Sequence, residues 1–226
     1  MPHTEVQTRN LYRSISKIMI SLAKISQPRI GSWTIDNDGR ISLSIRPMYC
    51  HLHQLENYAI PSGIPRNMTY TGADGFYLDL LTGHDNRLRH QANAAFDEAD
   101  ARGQAKDLVL MRALLHLFTD RHLHNSPFVM QLADMHASNI FVDEDWNIKH
   151  VVDLEWACCL PLGNLLPPFW LTGQSVDGLD GPEYESLKLA YEQISTIFDQ
   201  GGDKTHPFHH KEKCSTPRAK NHEAGL

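Results

Sequence analysis

Three residues in the second half of the chain have the types and spacing to do chemistry together: Asp134, Asn139 and Asp153. They supply a carboxylate, an amide five positions later and a second carboxylate, all hard oxygen donors, one of which can serve as a base. Phosphoryl transfer uses such a set. One Asp orients or deprotonates the attacking hydroxyl, while an Asn and a second Asp hold magnesium on the nucleotide phosphates. Alone, Asp-x-x-x-x-Asn says little, and a single Asp at a strand end is commonly a turn residue. The weight rests on both loops, their order and the segment that joins them.

That segment must fold back on itself to bring the three residues together. Phe128, Val129 and Met130 form a short apolar run into Asp134. Ile140, Phe141 and Val142 are β-prone. Asp143-Glu144-Asp145 breaks the run with turn chemistry. Ile148, Val151 and Val152 resume it and end on Asp153. Residues 128–157 therefore read as strand, loop, strand, turn, strand, and a hairpin returns Asp153 beside Asn139 and Asp134.

This order matches the catalytic and metal loops of kinase-like folds. The stretches Asp134-Met135-His136-Ala137-Ser138-Asn139 and Asp153-Leu154-Glu155-Trp156-Ala157 resemble the aminoglycoside phosphotransferase family, including its divergent members from filamentous fungi. That family writes the first loop His-Gly-Asp-Leu-His-Pro-x-Asn. The chain keeps Asp134, His136 and Asn139 and departs at Leu132 and Ala133. The resemblance implies Asp134 as the hydroxyl-orienting base, with His136 supporting the catalytic loop. It also implies Asn139 and Asp153 as metal ligands, Mg2+ and ATP as cofactors, and a hydroxyl of a small molecule or protein as acceptor. It covers residues 11–199 as the C-terminal lobe of a protein-kinase-like fold, between a tail at 1–10 and a disordered tail at 200–226.

A complete enzyme of this kind also needs a nucleotide lobe with a Gly-rich loop and a phosphate-binding Lys. Ten residues precede the first expected helix, and Lys17 and Lys24 sit on that helix. The expectation is a metal-binding lobe that transfers phosphate poorly. Two other readings stand beside it. One is a non-catalytic kinase-like binding module. The other is a metal-dependent hydrolase using Asp134, His136 and Asp153.

Composition sets the bounds. The chain has 226 residues, 41% hydrophobic and 21% charged, with a formal net charge of −6. This is ordinary for a globular domain with its own core. No basic field points to nucleic acid, and no apolar run is long enough for a membrane span. The first ten residues lack an apolar signal region. Cys50, Cys158, Cys159 and Cys214 form no Cys-x-x-Cys pair, which favours a reduced, cytoplasmic protein.

The expected fold class is α+β, mainly helical, with small hairpins. Residues 11–25 carry apolar residues at helical spacing, ended by Pro28. Asp36-Asn37-Asp38-Gly39 between β-prone runs predicts a hairpin at 33–45. Residues 46–70, with Pro47, Pro61 and Pro65, read as loop, and His51 and His53 as loop histidines. Thr71-x-x-Asp74 reads as a capping box for a helix at 73–82. An exposed helix at 87–101 follows, with Gly103 separating it from the next. Residues 105–123 carry the longest apolar stripe and read as a buried central helix, with Arg121, His122 and His124 complementing its dipole. Residues 160–170 read as an irregular apolar segment of core anchors, and 183–198 as another amphipathic helix. The His206, His209, His210 and Cys214 cluster reads as solvated tail.

Overall fold

The computed structural model describes residues 4–119, 121–125 and 127–172, with isolated positions between 185 and 196. The expected helix at 183–198 and the tail with its His/Cys cluster lie almost wholly outside the described residues.

Helix α1 spans Glu5–Ala23, so it begins six residues before the apolar stripe does. Its start is a capping box. Thr4 accepts from the Gln7 amide, and the Gln7 side chain returns to the Thr4 backbone, which satisfies donors that helix geometry leaves open. Tyr12, Ile15, Met19 and Ala23 form its buried face, which packs with Val129, Leu162 and Leu165.

Strands β1 (Ser26–Gln27), β2 (Ser32–Ile35) and β3 (Ile41–Ile45) follow. β2 and β3 form the expected hairpin, and Gly39 at its turn has φ 78°. Gly31 is required by close approach, since a Cβ there would lie 2.7 Å from the Ile45 carbonyl oxygen. Its backbone exchanges hydrogen bonds with Cys159 in both directions.

The stretch expected as loop at 46–70 contains a helix, α2 (Cys50–Asn57), which buries Leu52 and Leu55. The loop after it is clamped by the buried Arg46. This guanidinium donates to the Ile64 carbonyl at 2.6 Å and pairs with Glu56 at 2.7 Å.

Helix α3 (Ala73–His90) is longer than expected and has no capping box, because Gly72 is its N-cap and makes no side-chain bond. Asp74 instead faces His124 at 3.1 Å. Residues 91–97 are not helical, and α4 (Glu98–Phe118) runs unbroken through Gly103. α4 is not the buried central helix. Leu108 is its buried residue, and Arg112 ties it to Asp85 of α3. His124 lies in the turn beyond α4 and its carbonyl accepts from the Ala73 amide, so it serves the start of α3 instead.

The core sheet is three-stranded and antiparallel, ordered β1, β4 (Phe128–Leu132), β7 (Ala157–Pro161). Cys158 and Cys159 are buried on β7, and burial pushes both thiols up to about 12, so neither acts as a thiolate. The second core cluster gathers Phe128, Cys158 and Leu160 with Ile30, Leu52, Ile64, Tyr70 and Phe76. Leu165 of the following segment is buried, whereas Leu166 and Phe169 are partly exposed, 45% and 42%. The expected second hairpin is β5 (Ile140–Val142) with β6 (Ile148–Val151). Mixed helix and small antiparallel sheets make this an α+β protein, and no helix among the described residues is long and apolar enough to cross a membrane.

Candidate functional site

β4 delivers the first loop. Phe128, Val129 and Gln131 of the strand are buried, and the Ala133 amide donates to the Trp156 carbonyl at 3.0 Å. This fixes where Asp134 leaves the sheet. A tight turn follows and closes in a short 3-10 segment at Ala137–Asn139, where the Asn139 amide donates to the His136 carbonyl. The Asn139 Nδ2 donates to the Asp134 carbonyl at 3.3 Å. The amide nitrogen is thereby committed to the loop, and the Oδ1 accepts from the Ser138 Oγ at 3.4 Å. His136 is exposed and its Nδ1 lies 2.9 Å from the Ser138 Oγ. Trp170 pins the loop from below, donating its indole N–H to the Met135 carbonyl at 2.8 Å.

The β5–β6 hairpin delivers the second loop. Asp143 is the turn's organising residue. Its Oδ1 accepts from the Asp145 and Asn147 amides, and its other oxygen meets Lys149 at 3.0 Å. α1 holds the tip, with Gln7 and Asn10 donating to the Glu144 and Asp145 carbonyls. Register pairs Ile140 with Val151, and the Val152 amide donates to the Asn139 carbonyl at 2.9 Å. Asn139 and Asp153 therefore stand at the open mouth of one hairpin. Asp153 is in the left-handed region, φ 63° and ψ 54°, a conformation that Asp tolerates better than most side chains.

Sequence reasoning missed Glu155, which the geometry adds to this face. Its carboxyl is raised, first by a hydrogen bond with Asp153, then by the charges of Asp153 and Asp134. Three acids thus share one field. Among the described residues, Arg46, Arg112 and Lys149 pair with other acids: Glu56, Asp85 and Asp143. The only signal in the sequence was the position of Glu155 two residues after Asp153. Cys50 and His53 of α2 border the same face: burial, and then the Asp134 charge, raises the Cys50 thiol, and the His53 ring meets Trp156 edge-on at 5.0 Å.

Among the described residues, no group of three His, Cys, Asp or Glu side chains forms a metal cage. That leaves a magnesium site open, because magnesium is commonly held by one or two carboxylates plus substrate phosphates. Asn139 Oδ1 and the Asp153 carboxylate are hard oxygen donors of the kind magnesium takes.

Comparison with known proteins finds no matching family model, no matching curated protein and no matching solved structure.

Proposed function

We propose that the Asp134 loop and the β5–β6 hairpin form a kinase-like phosphoryl-transfer centre of the aminoglycoside phosphotransferase type. It would use ATP and magnesium to phosphorylate a hydroxyl of a small molecule or a protein. The observation that carries this reading is the closure at Asn139. Its side chain bonds the Asp134 backbone, and its carbonyl accepts from Val152, the residue before Asp153. One residue thus ties the base loop to the metal loop.

In this reading Asp134 accepts the proton of the acceptor hydroxyl as it attacks, and aims its lone pair at the phosphorus. Asn139 and Asp153 hold magnesium, which would neutralise the phosphate oxygens. Glu155 maintains the negative field that draws the cation in. His136 braces the loop through Ser138 and does not move the proton.

Calorimetric titration of manganese with ATP, paired with an assay of magnesium-dependent ATP turnover, tests the reading. Asp153→Asn is expected to weaken metal–nucleotide binding at least tenfold. Asp134→Ala is expected to leave binding intact and to lower any turnover about a hundredfold or more, with a smaller loss for His136→Ala. Metal–nucleotide binding indifferent to Asp153→Asn, or turnover indifferent to Asp134→Ala, would overturn it.

A further inference from the structure

A cavity of about 190 Å3 lies against the Asp134 loop, bounded by α1, β4, β7, Tyr49 and the segment 164–170. An apolar cavity of about 150 Å3 holds a benzene ring, so this one has room for a substituted ring. No charged side chain lines it, and a charge would be costly to desolvate there. Met19, Met130 and Met135 give it unbranched side chains that adapt to an apolar guest. Trp170 adds an aromatic ring, fixed by its bond to the Met135 carbonyl. Two carboxamides interrupt this apolar wall. Asn164 is engaged by Tyr77, whose hydroxyl donates to the Asn164 Oδ1. Gln131 is different. It is 7% exposed, and its Nε2 donates to the Pro161 carbonyl at 3.1 Å. A carbonyl can only accept, so this bond fixes which end of the amide is which. The Gln131 Oε1 has no hydrogen-bond partner among the described residues. A buried carbonyl oxygen is costly until a donor reaches it.

We propose that this cavity is a binding site for a small, neutral aromatic molecule with one hydroxyl, of the phenol class. Its ring lies among the methionines and Trp170, and its hydroxyl donates to the Gln131 Oε1. Each part of the wall selects one property of the ligand. The volume limits it to one substituted ring, and the lack of charged side chains keeps it neutral. The unpartnered oxygen asks for a donor. An apolar pocket with one or a few placed polar groups is the usual form of a small-molecule site. Because Ala133 and Met135 flank Asp134 and line the cavity, a bound ring also braces the Asp134 loop. The inference is independent of the phosphotransferase reading.

Titration of the full isotope-labelled chain with 4-ethylphenol and with its methyl ether, followed by amide and indole signals, tests it. The ether keeps the ring and loses the donor. The expected result is saturable shifts at 130–135 and at the Trp170 indole, with a dissociation constant for the phenol of about a millimolar or below. The ether should bind about fivefold more weakly or worse, the effect of one hydrogen bond. Gln131→Leu should bring the two probes to the same affinity, with an unchanged far-ultraviolet circular dichroism spectrum. If that variant unfolds, the comparison of phenol with ether on the native chain still decides the matter. No saturable shift at 130–135, or equal binding of phenol and ether by the native chain, would overturn the proposal. Shifts centred on the exposed apolar side chains of α4 would mean unspecific uptake of the ring and would overturn it equally.

Discussion

Asp153 offers a way to separate stability from function at one position. Its φ of 63° is a conformation that a side chain with a Cβ adopts at a cost. For an ordinary residue the left-handed region costs about 1–2 kcal/mol, less for Asp or Asn, whose short polar side chains bond locally. Three substitutions therefore diverge. Asp153→Ala meets the full steric cost without a local hydrogen bond and should destabilise by about 1 kcal/mol. Asp153→Asn should be close to neutral. Asp153→Gly removes the steric cost but adds about 0.5–1 kcal/mol of backbone entropy on folding, so it should match Asn or slightly exceed it. All three also relieve the repulsion of three neighbouring acids, so that contribution cancels from the ranking. For a chain of this size, 1 kcal/mol moves Tm by about 2–4 °C. Thermal melts should order Gly and Asn together above Ala by roughly that amount, while manganese binding should weaken in all three. Alanine melting with the other two would show that the backbone at 153 is not held left-handed, and the argument for a constrained metal loop would fail.

Gly31→Ala places a methyl 2.7 Å from the Ile45 carbonyl oxygen, and should destabilise by about 1–3 kcal/mol in urea unfolding; a neutral effect would mean that β2 and β3 approach less closely than described. Thr4→Ala removes the cap of α1 and should cost about 1 kcal/mol, with faster exchange of the Gln7 amide as the local readout. The stacked rings of His51 and His84, 4.5 Å apart, join α2 to α3, and both ring pKa values are lowered by burial, with Arg87 adding to each. A folded His with a depressed pKa contributes stability that is present above the unfolded value near 6.5 and is lost as pH falls below it. Denaturant midpoints should accordingly drop between pH 7 and pH 5, and His51→Phe should flatten that drop; an unchanged slope would refute the coupling.

Both hairpins were legible in the sequence, and for a physical reason. Turn chemistry is local, so Asp143-Glu144-Asp145 and Asp36-Asn37-Asp38-Gly39 marked both hairpins before any packing was known. What escaped depended on neighbours distant in sequence. α2 hid between Pro47 and Pro61, because a short helix burying Leu52 and Leu55 leaves little periodic signal. β7 hid because Cys158, Cys159 and Leu160 are all buried, so the strand shows no alternation of polar and apolar residues. The cap of α1 lay in residues read as tail, while Thr71 and Asp74 matched a capping pattern that Gly72 pre-empted. α4 is the sharpest case. Periodicity reported its apolar stripe correctly, but a stripe does not say what covers it, and α3 covers only part.

The most direct test of the central claim is to add manganese to isotope-labelled protein and read which amide signals broaden. If the Asp134 loop and the β5–β6 hairpin share one cation, broadening concentrates at 134–139 and 153–155 and disappears in Asp153→Asn. The equally acidic turn at Asp143, whose carboxylate is occupied by Asn147 and Lys149, stays sharp. Broadening centred on 143–145, or spread evenly over the acidic surface, would contradict the account.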